Sequence, residues 1–158
     1  MLPQNHFLFG LVASFVLYFG FDVGIFGCFV FLLASVLIDV DHYLYYVWRK
    51  GDWSLGRAVL WGIERKRVLD KMNRVTRNKF YNHFVFLHGV ESVILFGVLG
   101  YFIWDLFYLV GLGFLFHLIL DWVDQISFMD RFDRVSCVYD YFKYRKLKSV
   151  GNRIISKD

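Results

Sequence analysis

The sequence predicts an all-α, integral membrane protein: a four-helix bundle with an amphipathic cytoplasmic surface helix and a helical C-terminal extension. Three observations carry this. Hydrophobic residues make up 58% of the chain and aromatics 22%, while the charged 20% sit in blocks rather than spread among the apolar stretches, the pattern of a membrane protein. Four runs, at about 7–21, 23–38, 84–103 and 106–120, are apolar on every face, unlike a soluble helix with one buried stripe. All 18 Lys and Arg fall within Arg49–Lys79 and Arg131–Lys157. The length is that of one domain, residues 1–158.

The first two runs meet at Asp22 and the last two at Trp104–Asp105, so each pair reads as a helical hairpin. The third run carries one charge, Glu91, and the other three carry none. Aromatic residues crowd the ends as an interfacial belt would: Tyr18, Tyr101, Trp104 and Tyr108 on one side, and Tyr43, Tyr46, Trp48, Tyr81 and Trp122 on the other. Gly10, Ser14, Gly97 and Gly100 are small enough for close helix approach. Because the hairpin tips hold no Lys or Arg, the positive-inside rule puts both termini and the basic loop 49–82 in the cytoplasm. The N-terminus lacks a basic segment before its first apolar run, so no cleavable signal peptide is expected.

Within the loop, Ser54 is placed to cap a helix over Leu55–Val75. Leu55, Val59, Ile63, Leu69 and Met72 fall near one face and Arg57, Arg65, Arg67, Lys71 and Arg74 largely elsewhere, which describes a helix lying on anionic lipid. This also accounts for the basic charge without a nucleic-acid partner. In the extension 122–158, Ser127 and Asp130 resemble a capping box, with Phe128, Phe132, Val135, Tyr139 and Phe142 following at roughly helical spacing. Cys28 and Cys137 lie on opposite sides of this topology and are expected to stay unpaired.

The histidines then fall into place. His6 opens the first helix, and Asp39, Asp41 and His42 close the second. His83 precedes the third, with His88 and Glu91 in its first two turns. His117 and Asp121 close the fourth. Helices of alternating direction bring all of these to one end. The pairs Asp39/His42 and His88/Glu91 are i, i+3 and His117/Asp121 is i, i+4, so each pair shares a helix face. Imidazole with carboxylate suits zinc, iron or manganese. Inward-facing pairs of this kind from several helices build dinuclear centres. Asp39 and Asp121 are expected near helix C-termini, where the macrodipole disfavours anions and a bound cation would reverse the effect. The expected metal ligands are His6, Asp39, Asp41, His42, His88, Glu91, His117 and Asp121, with two or three divalent ions.

Ile38-Asp39-Val40-Asp41-His42 and Phe116-His117-Leu118-Ile119-Leu120-Asp121 resemble motifs of the YdjM-type family of membrane-bound metal-dependent hydrolases, distantly similar to zinc-dependent phospholipase C and related nucleases. Ile38 stands where that family has proline. Its His-rich third motif appears here, respaced, as Asn82–Ser92. The resemblance spans about residues 6–121 and implies hydrolysis of a phosphoester, such as a phospholipid or lipid-linked phosphate. Asp39, Asp41 and Glu91 are then the expected catalytic carboxylates, with Asp39 or Asp41 as general base. The alternative on the residues alone is a non-enzymic metal-binding membrane protein, either a lipid-binding scaffold or a metal carrier. A carrier needs polar residues along a path to the outer face, and the outer halves offer little beyond Ser14 and glycines.

Overall fold

In the computed structural model the chain is all-helical, with no strand among the described residues, which are 3–77, 84–129 and 134–155, with side chains from 4 through 147. His83, Tyr81 and Asp130 lie outside them. The helices are α1 (Pro3–Phe21), α2 (Ile25–Leu37), α3 (Val40–Lys50), α4 (Leu55–Lys71), α5 (Arg74–Arg77), α6 (Val90–Phe102), α7 (Leu106–Met129) and α8 (Cys137–Ile155). Three segments are long and apolar enough to cross a membrane: Gln4–Phe21, Ile25–Lys50 and Leu106–Ser127. Val90–Phe102 is a shorter apolar helix.

Helices α2 and α7 form the centre. Each packs on the other, α1 lies against α2 and α7, and α6 lies against α7. The core is Ala34, Ile38, Phe114 and Leu118, flanked by Leu87, Val93, Phe96, Val110 and Trp122. Close approach comes from small residues. A Cβ on Gly113 would stand 2.7 Å from Phe31 O and 2.8 Å from the Ala34 Cβ, and one on Gly10 would meet Ser35 Oγ at 2.5 Å. Ser14 Oγ donates to Gly10 O at 2.8 Å and reaches Cys28 O at 3.4 Å. Gly97, expected to act the same way, has nothing within 4 Å of its would-be Cβ.

Several boundaries differ from the sequence reading. The third apolar run is not helical throughout: residues 84–89 are irregular, and α6 starts at Val90. Backbone groups of this stretch are bound elsewhere, Leu87 N–H by Asp41 Oδ2 (3.0 Å) and Val90 N–H by Val135 O (2.9 Å). The second run ends as α2 at Leu37, beside the expected Ile38, but the chain does not leave the bundle there. It turns at Ile38–Asp39 and continues as α3, with Asp39 at the N-cap and Asp41 in the first turn. The fourth runs on to Met129, so His117 and Asp121 are interior to α7 and Ser127 caps nothing. The macrodipole argument therefore fails for Asp121, which is far from either end of α7; Asp39 does follow the C-terminus of α2, but it also stands at the N-terminus of α3, where a negative charge is favoured.

Ser54 does cap α4, its Oγ accepting from Arg57 N–H at 3.4 Å. The expected single helix to Val75 stops at Lys71, because Asn73 Oδ1 accepts from Thr76 N–H at 2.8 Å and starts a new turn. Asp52 fixes the α3–α4 corner. It accepts from Tyr46 Oη, from Ser54 N–H at 3.0 Å, and from both Arg57 Nε (2.6 Å) and Nη2 (2.7 Å). The Arg57 guanidinium, then Tyr46, hold its carboxyl well below the usual range. Tyr46 is thus buried and is not a belt residue.

Candidate metal centre

Why do polar groups gather where the helices are otherwise hydrocarbon? Each arrives on a separate element. His6 comes from the first turn of α1, Asp39, Asp41 and His42 from the break between α2 and α3, His88 from the irregular stretch before α6, and His117 and Asp121 from the middle of α7. His6, His88 and His117 are 0% exposed, and Asp41 and Asp121 are buried. Asp39 and His42 are the accessible edge, with side chains 18% and 27% exposed.

Asp39 Oδ1 is a focus. It lies 3.4 Å from His42 Nε2, 3.4 Å from His88 Nε2 and 3.6 Å from His117 Nε2. Asp121 is the second. Its Oδ1 is 3.3 Å from His6 Nε2, and its Oδ2 is 3.9 Å from both His88 Nε2 and His117 Nε2. The His6 and His117 rings stack with centroids 3.7 Å apart, which turns both Nε2 edges toward Asp121. Three groups have ligand atoms within 4.8 Å of one another and could hold a metal ion: His6, His117 and Asp121; Asp39, His88 and His117; and Asp41, His42 and His88.

The far sides of two rings are fixed. His117 Nδ1 lies 2.7 Å from Ser35 O, an acceptor only, so Nδ1 carries the proton and Nε2 the lone pair. His88 Nδ1 lies 3.0 Å from Asp41 Oδ2 and donates to that carboxylate. A histidine whose outer N–H is tied to a carbonyl or carboxylate is the usual arrangement of a metal-ligating ring. The inner atoms are unsatisfied: His6 Nδ1 and Nε2, Asp39 Oδ2, Asp41 Oδ1, His88 Nε2 and His117 Nε2 are buried and make no hydrogen bond. Each such atom is unfavourable by about 1–3 kcal/mol. The lone pairs of His88 Nε2 and His117 Nε2 face carboxylate oxygens of Asp39 and Asp121, a donor set that fits a cation.

Seven of the eight residues expected at the site fall in these groups. Glu91 does not. Because 84–89 is not helical, His88 and Glu91 share no helix face. Glu91 instead accepts from Ser136 Oγ (2.6 Å) and Cys137 N–H (2.9 Å), capping α8. Two further residues stand beside the cluster: Arg134, to which the sequence assigns no role, and Asp124, which the sequence leaves open as a ligand and which falls in none of the three groups. Arg134 Nη1 donates to Asp121 Oδ2 at 3.0 Å, so a basic side chain reaches the cluster. One turn beyond Asp121 on α7, Asp124 accepts from Lys66 Nζ at 3.3 Å. The signal for Asp124 is visible in the chain, since Asp121, Asp124 and Gln125 recur at helical spacing.

Comparison of the chain with known protein families, with curated proteins and with solved structures found no match.

Proposed function

We propose that the protein is a membrane-embedded, metal-dependent hydrolase acting on a phosphoester at the cytoplasmic interface. The observation that carries the reading is the pair of oriented imidazoles. His88 and His117 each have Nδ1 tied to an acceptor, and each turns an unsatisfied Nε2 toward Asp39 and Asp121. His6, His117 and Asp121 would hold one divalent ion, and Asp39 Oδ1, 3.4 Å from both His42 Nε2 and His88 Nε2, would share a second with those two rings, which gives every imidazole one ion. Zinc suits this donor set, as do manganese and iron. When bound, such ions stabilise negative charge on phosphoryl oxygens and acidify water.

The chain's own groups divide the remaining work. Asp41 orients His88 and anchors Leu87 N–H, so it is committed to structure. Glu91 is committed to α8. That leaves Asp39, whose Oδ2 makes no hydrogen bond, as the carboxylate able to take a proton from water. That oxygen is buried, while the rest of the side chain is partly exposed, so Asp39 borders the side from which a substrate would enter.

The substrate class follows from position. With all Lys and Arg flanking this end of the helices, the positive-inside rule orients it toward the cytoplasm. The apolar residues Leu55, Val59, Leu60 and Val68 of α4 are exposed beside its basic ones, as on a helix lying on anionic lipid. A phospholipid or lipid-linked phosphate meets such a site at headgroup depth. The residues of the two motifs quoted above, with their likeness to membrane-bound hydrolases, point the same way.

The test is metal analysis of the purified protein with a screen of phosphomonoesters, phosphodiesters and lipids. The expected result is at least one divalent ion per chain and hydrolysis that chelation abolishes. Protein that purifies without metal, or hydrolysis unchanged after full metal removal, would refute the reading.

A further inference from the structure

We propose that Arg134 recognises the phosphate of the substrate, and that residues 134–138 form a strap holding it there; this deepens the reading above and rests on it.

The strap is fastened at each of its residues. Trp122 Nε1 on α7 donates to Arg134 O at 3.1 Å. Val90 N–H, at the start of α6, donates to Val135 O at 2.9 Å. Glu91 accepts from Ser136 Oγ, Cys137 N–H and, at 3.5 Å, Val138 N–H. Cys137 Sγ donates to Phe86 O at 2.8 Å. Gly89 leaves the room this needs: a Cβ there would stand 2.3 Å from Glu91 Oε2 and 2.7 Å from Cys137 N.

The product of this fastening is the placement of one guanidinium. Arg134 has φ 64°, in the left-handed region that a non-glycine residue adopts only when its surroundings hold it there. Its Nη1 lies 3.0 Å from Asp121 Oδ2, and that oxygen lies 3.9 Å from both His88 Nε2 and His117 Nε2. With its side chain 19% exposed, Arg134 borders the cluster on one side and the outside on the other. An arginine serving only the surface charge would need neither the strained backbone nor the fastening. The planar fork of guanidinium N–H groups matches the oxygens of a phosphate, and its charge is permanent. Glu91 touches neither the cluster's ligand groups nor a substrate, and is a positioning residue: it holds the strap that holds Arg134.

The phosphate could belong to a lipid headgroup or be free, and one experiment covers both. Full-length protein in detergent is loaded with zinc, and binding of inorganic phosphate and of a short-chain phosphatidic acid is measured by calorimetry, with zinc content alongside. Arg134→Gln should keep its zinc and bind both probes roughly 10–100-fold more weakly. Arg134→Lys, with the charge but not the fork, should fall between. Gly89→Ala, which changes no charged residue but drives a methyl group against Glu91 Oε2 and Cys137 N and so displaces the strap, should weaken both probes while keeping zinc. Tighter binding of the lipid assigns the headgroup, and equal binding assigns free phosphate; both support the proposal. Unchanged phosphate affinity in Arg134→Gln overturns it. So does zinc loss in step with phosphate loss, which would make Arg134 only a structural partner of Asp121. Should Arg134→Gln fail to fold, Arg134→Lys decides: wild-type affinity for both probes overturns the proposal. If the wild type holds no zinc, the metal-centre reading fails by itself. Phosphate binding by that metal-free protein then decides the arginine: dependence on Arg134 supports it, and absence of binding overturns it.

Discussion

At the end where Asp22 and Trp104–Asp105 turn the chain, the helices meet through glycine, serine and hydrocarbon. At the other end, where α2 gives way to α3 and α6 begins, the same helices meet through imidazoles and carboxylates. The first end resembles ordinary membrane packing, in which small residues bring backbones together and side chains face lipid. Phe19, Phe21, Ile25 and Phe102 are all more than 70% exposed there. The second end buries His6, Asp41, His88, His117, Asp121, Asp124 and Asp140, an arrangement unfavourable beside hydrocarbon unless the groups neutralise one another or bind a cation. Shape holds one end and charge balance the other, so the two should respond differently to substitution and to chelators.

The largest expected effect lies at the second end. His117→Ala and Asp121→Ala should each remove bound metal and hydrolysis together, with the protein still recovered in the membrane fraction. Elemental analysis of each variant, beside a phosphoester assay, checks this; a variant with full metal content would break the comparison. Asp41→Asn should do less, lowering metal affinity roughly 10–100-fold. It keeps an acceptor for His88 but loses the charge that orients the ring. Competition with a chelator of known affinity measures the difference, and an effect as large as that of His117→Ala would make Asp41 a ligand rather than a support.

At the first end and the middle of the bundle the expected effect is on stability alone. Gly113→Ala puts a methyl group against Phe31 O and Ala34, neither of which can swing aside, and should destabilise by about 1–3 kcal/mol. Gly97→Ala meets nothing within 4 Å and should be neutral or stabilising by about 0.5–1 kcal/mol, through helix propensity. Denaturation in detergent separates them, and equal behaviour would mean that α2 and α7 do not pack as closely as described.

How much of this was legible in the chain varies between the same two ends. The hairpin tips and their helices follow from hydropathy, since nothing but backbone and hydrocarbon decides them. The gathering of His6, Asp39, His42, His88, His117 and Asp121 follows from helix order, because alternating direction brings those positions together whatever the boundaries. The boundaries themselves were not legible. An apolar run such as 84–103 shows no local reason to stop being helical; the reason is Asp41, 46 residues away, accepting from Leu87 N–H. The places of Glu91 and Arg134 were hidden for the same cause. Their partners, Ser136, Cys137, Trp122 and Asp121, lie outside any helical window, and only tertiary contact assigns Glu91 to a helix cap and Arg134 to the cluster.

The smallest expected effect uses the two cysteines, one near each end. Cys28 is buried between helices. Cys137 sits in the strap, where burial and then the Glu91 carboxylate push its thiol up to about 12. The neutral thiol is therefore the form the fold favours. Because the folded value is raised, the contribution to stability is full below the unfolded value near 9 and is lost as pH rises through the folded value. Reactivity follows the thiolate, so in a Cys28→Ser background maleimide labelling of Cys137 should be slow at pH 7.5 and climb steeply above pH 9. Glu91→Gln removes one of the charges that raise the thiol and loosens the strap, and both changes should speed labelling several-fold at pH 8. Rapid labelling of the unsubstituted strap at pH 7.5, at the rate of a free thiol, would show that residues 134–138 are not fastened to α6. The difference between the two ends would then be confined to the histidines and aspartates.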